Sequence, residues 1–182
     1  MWNSFSVFFS TGIPSEVLYP SFGLTVVVII IGLLLKSVKD KKRFVLWVLL
    51  FEYLFVVTCS TIIFRGTLIC KFDRVELIPF WTYQSIINHT PGVSVWDIVL
   101  NVVLFIPLGL LVKLTYPSVS ALRILLIAVL SSLFIETNQY VFEKGVAQID
   151  DVMHNVIGAL LGWLLAKIVS KWTKPKKFSI SY

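Results

Sequence analysis

The chain has 182 residues, of which 57% are hydrophobic and 14% are charged, and its formal net charge is +6. Because a soluble domain carries roughly 25% charged residues, this composition argues against a water-facing fold and indicates an integral membrane protein. The basic residues are divided among several loops and a tail, which argues against nucleic-acid binding. The two cysteines, Cys59 and Cys70, are too few for a disulfide framework.

Five segments are apolar over about the 20 residues that a spanning helix needs. The predicted spans are residues 18–35, 44–64, 96–116, 121–142 and 151–168. The predicted fold class is therefore all-α, an integral membrane bundle of about five transmembrane helices. Residues 1–17 contain aromatic residues but no Lys or Arg, which argues against a signal peptide and predicts an interfacial segment. The stretch 65–95 is more polar and predicts an external loop with a short helix or a re-entrant piece.

The loops differ in charge, and this difference predicts the orientation. The run KSVKDKKR (36–43), the loop after the third span and the C-terminal end together hold twelve Lys and Arg residues, and the opposite side holds four. The positive-inside rule places the side with twelve in the cytoplasm, so the N-terminus is predicted outside and the C-terminus inside. Residues 169–182 are then a basic cytoplasmic tail.

An acidic residue, Glu52, lies within the second predicted span. It is roughly 13 Å along the helix from Arg43. An ionisable group at this depth is a functional candidate, although a neutral, hydrogen-bonded Glu that holds helices together fits equally well.

The fifth span begins with a polar face. Asp151, Asn155, Gly158 and Gly162 are spaced by four, three and four residues, which places them on one side of a helix. The glycines predict close approach of another helix, so the carboxylate and the amide should point into the bundle. Asp150 is predicted to be mainly the N-cap of this helix.

Two other spans carry polar groups at a similar depth. Ser132, Glu136 and Gln139 share a face of the fourth span, and Asn101 lies near the start of the third. In the third span, Pro107 predicts a kink and Gly109 predicts close packing. The three faces can converge, so we predict a polar pocket near the outer surface.

The predicted ligand-binding residues comprise carboxylates, amides and two arginines of the external loop. They are Asn101, Glu136, Gln139, Asp150, Asp151, Asn155, Arg65 and Arg74. The predicted helix-packing residues are Pro107, Gly109, Gly158 and Gly162. The alternative is that the acids only cap a helix and the amides only join helices.

Neither a metal site nor a cofactor is predicted. The acids are hard ligands of the kind that Mg²⁺ or Ca²⁺ prefers, but no pattern has catalytic metal spacing. His154 lies off the polar face and is expected to pack elsewhere. No nucleophile triad or phosphate loop is present, and Glu136 and Asp151 are the candidates if an acid–base reaction takes place.

Four blocks of sequence resemble the VanZ-like family of small bacterial membrane proteins. They are ELIPF (76–80), NVVLFIPLG (101–109), SLFIETNQ (132–139), and IDDVMHNVIG (149–158) preceded by Gly145. Together they span about residues 65–168. The chain departs from the family at Glu76, where Asn often stands, and at Gln148, where many members carry an acid.

The resemblance implies resistance to glycopeptide antibiotics, notably teicoplanin, at the bacterial cell envelope. We expect the outward pocket to bind a membrane lipid, a lipid-linked cell-wall precursor or a lipoglycopeptide. The alternatives are an enzyme that modifies a lipid-linked envelope precursor and a structural membrane scaffold. The sequence does not fix the oligomeric state.

Overall fold

The computed structural model describes residues 13–66 and 75–172, which form five long helices, one short helix and two short strands. In chain order these are α1 (Ser15–Leu34), α2 (Lys41–Thr58), β1 (Val75–Glu76), α3 (Trp81–Ile87), α4 (Val95–Thr115), α5 (Ala121–Val141), β2 (Ala147–Gln148) and α6 (Ile149–Trp172). A π-helix, Cys59–Ile63, continues α2 without interruption.

Five helices are long and apolar enough to cross a membrane, so the predicted all-α bundle of five spans is confirmed. Large apolar side chains are exposed on the outside of the bundle, for example Phe51 at 74% and Leu130 at 67%. In a bilayer these side chains would contact lipid and would not have to pack against other protein. Polar side chains cap two of the spans: Asp40 accepts a hydrogen bond from the Arg43 N–H at 2.9 Å, and Ser120 accepts one from the Arg123 N–H at 3.3 Å.

Several predicted features lie outside the described residues. They are most of the N-terminal interfacial segment, Cys70, Arg74 and most of the basic tail. Cys59 is described, and it is a buried free thiol, as expected of a packing residue.

The bundle is organised around the pair α4 and α6. Phe105 of α4 and Ala159 of α6 are almost completely buried, together with Ile124 and Ala128 of α5. Helix α1 lies at the periphery and packs mainly against α2. Its one buried residue is Gly32, which adjoins the ring of Phe44.

Basic side chains from three separate parts of the chain meet aromatic rings at one end of the bundle. Arg43 lies 5.0 Å from the centre of the Tyr116 ring, and Lys113 and Lys167 lie 5.5 and 5.2 Å from the Trp163 ring. Helices that are distant in sequence therefore contribute to one basic end, and the polar residues predicted as a site lie toward the other end.

Candidate functional site

The polar cluster is built at the N-terminal turn of α6. Both aspartates belong to the first turn of this helix, which begins at Ile149. The helix dipole favours their negative charge there. The prediction that Asp150 is the N-cap of the helix is therefore wrong, because Asp150 lies inside it.

Asp150 instead caps a different helix. Its Oδ1 accepts a hydrogen bond from the Phe80 N–H at 2.7 Å, and its Oδ2 accepts one from the Thr82 N–H at 2.8 Å. Phe80 is the N-cap residue of α3 and Thr82 lies in its first turn, where backbone N–H groups lack a partner within the helix. Asp150 is only 1% exposed. This carboxylate therefore holds α3 and the preceding loop against α6.

The loop before α3 is shaped to meet this carboxylate. Phe80 has a left-handed backbone conformation with φ of 65°, which is uncommon for a bulky residue. Glu76 accepts a hydrogen bond from the Ile78 N–H at 3.0 Å, so this acid stabilises the turn that precedes α3. Two residues of β1 also pair in parallel with β2, Val75 with Ala147 and Glu76 with Gln148.

Asp151 of α6 contacts Asn101 of α4, as expected if the polar faces of these two helices converge. Asn101 Nδ2 donates a hydrogen bond to Asp151 Oδ1 at 2.6 Å and so joins α4 to α6. Among the described residues this is the single hydrogen bond that the Asp151 side chain receives. An ionised carboxylate can accept about four. Unlike Asp150, Asp151 thus keeps capacity for a further donor, and both Asp151 and Asn101 are partly exposed.

Asn155 lies one turn deeper. Its Nδ2 donates to Ser132 Oγ at 2.8 Å, which joins α6 to α5, and both residues are buried. Asn155 Oδ1 is buried and has no hydrogen-bond partner among the described residues. A buried carbonyl oxygen without a donor is costly, so Asn155 combines a structural contact with an unmet hydrogen-bonding group.

Glu136 and Gln139 of α5 each form a hydrogen bond with a backbone group of another element. Glu136 Oε2 accepts a hydrogen bond from the Gln148 N–H at 3.1 Å, and the residue is 6% exposed. Gln139 Nε2 donates to the carbonyl oxygen of Thr61 at 3.2 Å. That oxygen belongs to the π-helix, so Gln139 binds α5 to the end of α2.

Arg65 is brought to the same region by the π-helix. A Cβ atom placed on Gly145 would lie 3.5 Å from Arg65 Nη2 and 3.1 Å from Gln139 Oε1. A side chain at position 145 would therefore crowd Gln139 Oε1 and would be in ordinary van der Waals contact with Arg65. The Arg65 charge also interacts electrostatically with Glu136 and Asp151. The structure thus brings together the predicted residues of α4, α5 and α6 with Arg65.

The glycines lie at a close contact between α4 and α6, as predicted, and we call this contact the helix seam. A Cβ atom on Gly109 would lie 1.8 Å from the carbonyl oxygen of Ala159, and one on Gly158 would lie 2.1 Å from that of Val102. At Gly162 the corresponding distance, to the carbonyl oxygen of Ile106, is 1.9 Å. These backbones touch directly, and this contact fixes the register that places Asn101 beside Asp151. Helix α4 runs through Pro107 without ending.

One contact was not predicted from the sequence. The Tyr83 hydroxyl of α3 and His154 Nε2 of α6 are 2.9 Å apart, and the two rings meet edge to face with centres 5.6 Å apart. His154 is 2% exposed, and its Nδ1 has no partner among the described residues. The spacing correctly placed His154 off the Asp151 face, but no local signal identifies its partner 71 residues earlier.

The region has acids but no arrangement suited to a metal. Within residues 13–66 and 75–172, no three His, Cys, Asp or Glu side chains are grouped as metal ligands. What the arrangement offers chemically is one partly exposed carboxylate, an amide beside it and a guanidinium nearby. These groups suit a polar ligand that carries both donors and acceptors.

The comparison with known families matches the part of the chain that runs from α2 into α6. The sequence model of a family described as VanZ/LLP1 matches residues 44–170. A relative, Protein VanZ of Enterococcus faecium, is 31% identical over 98 residues. That match covers 52% of this chain and 61% of the relative, so the shared part is less than two thirds of the relative's length. No solved structure matches the chain.

Proposed function

The chain belongs to the VanZ/LLP1 family, and from this premise we propose that it is a bacterial cell-membrane protein that gives low-level resistance to teicoplanin-type glycopeptides. In this proposal it binds an amphiphile, either a lipid-linked cell-wall intermediate or the lipoglycopeptide, at the polar cluster of α4, α5 and α6. The resistance is what the resemblance to the family implies. The site is inferred from the geometry of this chain.

The observation that carries the proposal is the contrast between the two adjacent aspartates. Asp150 is buried, and both of its oxygens accept backbone N–H groups of α3. Asp151 is partly exposed and receives one hydrogen bond, from Asn101, within the described part of the chain. In a carboxylate with a purely structural role we expect both oxygens to accept hydrogen bonds from the protein, as they do in Asp150. The remaining capacity of Asp151, with Arg65 nearby, supports a binding role for this residue.

Several of the other predicted ligands have a structural role in the proposed site. Asn155 binds Ser132, Gln139 binds the carbonyl group of Thr61, and Asp150 holds α3. These contacts join the helices to one another and hold the cap, which is residues 75–87 with β1 and α3, against α6. In the proposed mechanism they position the groups that touch the ligand, namely Asn101, Asp151 and Arg65.

The orientation is part of the same proposal. The distance along α6 from Asp151 to Lys167 is roughly 24 Å, which approaches the thickness of the hydrocarbon core. Lys113, Lys167 and Arg43 lie toward one end with their aromatic partners. If this basic end is cytoplasmic, the polar cluster faces the outer leaflet, where lipid-linked precursors and glycopeptides meet.

The test compares bacteria that express the chain with the same strain carrying an empty vector. The minimal inhibitory concentration of teicoplanin and the membrane lipids, extracted and analysed by mass spectrometry, are measured in both. We expect a higher inhibitory concentration in the expressing strain and unchanged lipid species. An unchanged inhibitory concentration with the protein present in the membrane would contradict the proposal.

The lipid comparison also separates binding from catalysis. A lipid species that appears or disappears only when the chain is expressed would favour the alternative, an enzyme acting on a lipid-linked precursor, with Glu136 or Asp151 as acid or base. A scaffold role predicts a third outcome. In that case Glu136→Gln would lower the amount of protein in the membrane and lower the tolerance only in proportion.

A further inference from the structure

A second polar position lies in the membrane region, away from the cluster of α4, α5 and α6. A cavity of about 460 Å³ lies between α1 and α2, and among the described residues that line it Glu52 has the one ionisable side chain. Glu52 is 8% exposed. Its two oxygens are each 2.9 Å from a hydroxyl group of α1, Oε1 from Ser21 Oγ and Oε2 from Thr25 Oγ1. An acid at this depth is a functional candidate by default.

Two hydroxyl groups of α1 hold the Glu52 side chain in place. Thr25 Oγ1 donates to Oε2, and Ser21 Oγ is 2.9 Å both from Oε1 and from the carbonyl oxygen of Leu18, although it has only one hydrogen to donate. A carboxylate can accept about four hydrogen bonds, so these two contacts leave acceptor capacity for a positively charged group.

The remaining walls are apolar, and they open sideways. Four aromatic residues, Phe44, Trp47, Phe51 and Phe55, line the cavity. Phe51 is 74% exposed and Trp47 is 47% exposed, and both lie on surface that would face lipid. A ligand can thus enter from the bilayer. The volume lies in the range of about 300–1,000 Å³ that small-molecule sites occupy.

We propose that this cavity binds a lipophilic cation, that is, a molecule with an apolar body and one positive charge. The carboxylate of Glu52 supplies the opposite charge, and the aromatic faces add cation–π attraction. An anionic amphiphile would meet repulsion from Glu52, and a neutral lipid chain would leave this charge unpaired. The site is separate from the polar cluster of α4, α5 and α6, and the proposal does not depend on the glycopeptide function.

The test measures equilibrium binding of radiolabelled tetraphenylphosphonium to the full chain in lipid nanodiscs. We expect saturable binding to the wild type and binding at least about tenfold weaker to Glu52→Gln, as removal of a buried charge partner produces. Glutamine has nearly the shape of protonated Glu52 and keeps a donor for Ser21, so the fold is preserved. Asp97→Asn removes a carboxylate elsewhere and should bind like the wild type.

A second variant guards against a folding defect in the first. Phe51 is largely exposed, so Phe51→Ala should leave the fold intact and weaken binding by removing an aromatic wall. Tetraphenylborate, an anion of similar shape, should show no saturable binding. Equal affinity of the wild type and Glu52→Gln, or saturable binding of the anion, would overturn the assignment. Absence of saturable cation binding to the wild type would do the same.

Discussion

Removal of the Asp150 carboxylate tests how the cap is held on the bundle. In Asp150→Ala, the N–H groups of Phe80 and Thr82 lose acceptors that lie 2.7 and 2.8 Å away. A hydrogen bond to a charged group contributes about 1.5–3 kcal/mol, so the two together contribute about 3–6 kcal/mol to the docking of α3. At 1.4 kcal/mol for each factor of ten, even the lower figure makes local opening roughly a hundredfold easier.

Hydrogen–deuterium exchange of the full chain in nanodiscs measures this opening directly, because exchange of protected amides follows the free energy of local unfolding. We expect amides of residues 75–87 in Asp150→Ala to exchange about a hundredfold faster than in the wild type, while those in the middle of α4 and α6 remain protected. The control is Asp97→Ala, whose carboxylate accepts from the Ser94 N–H at 2.7 Å at the start of α4. Unchanged exchange of residues 75–87 in Asp150→Ala would refute the claim that the Asp150 carboxylate holds these residues against α6.

Three further predictions concern the helix seam, the buried amide and the orientation. Gly158→Ala should lower the free energy of unfolding by about 1–3 kcal/mol, because its Cβ would lie 2.1 Å from the carbonyl oxygen of Val102. A Cβ atom at Gly23 would have nothing within 4 Å, so Gly23→Ala should not lower the free energy of unfolding, and equal effects of the two substitutions would show that the helix seam is not close-packed. A double-mutant cycle of Asn155→Ala and Ser132→Ala should give a coupling of about 0.6 kcal/mol, with about 1.7 as the upper range, in denaturation experiments; strictly additive effects would contradict the hydrogen bond. In a variant whose native Cys59 and Cys70 are replaced by serine, a cysteine introduced at Lys144 should react with an impermeant thiol reagent added to intact cells, and one at Lys113 should not; the reverse pattern would invert the proposed orientation.

Helical periodicity explains why much of the site could be predicted. The spacing of Asp151, Asn155, Gly158 and Gly162 fixes a common face whatever the rest of the chain does. The glycines then identify which face meets another helix, since only they allow backbones to touch. Asn101 was assigned to the same depth from its position in its own span, and the structure places it 2.6 Å from Asp151.

The long-range contacts of the cap could not be predicted in this way. Asp150 is next to Asp151 and looks like an ordinary N-cap, but its acceptors serve backbone N–H groups about 70 residues earlier. Backbone donors leave no signature in the sequence. The pairing of His154 with Tyr83 and the two-residue sheet of β1 and β2 are equally non-local, because both depend on how the loop folds back over α6.

The partners of Glu52 also could not be predicted from the sequence. The sequence identified a buried acid and left open whether it was functional or structural. Its partners are single hydroxyl groups, Ser21 and Thr25, in a helix that is otherwise almost uniformly apolar. Small hydroxyl residues are common in spanning helices, so neither stands out before the packing of α1 against α2 is known.

The central claim is that Asp151 serves a ligand and does not merely join helices. Asparagine at this position keeps an oxygen that can accept from Asn101 but removes the charge, so Asp151→Asn should retain the helix contact. The most direct test is the teicoplanin tolerance conferred by this variant, measured at a membrane level and a melting temperature matched to those of the wild type. We predict that the tolerance is lost while both the protein level and the melting temperature are retained. Wild-type tolerance in a normally folded Asp151→Asn protein would contradict the account.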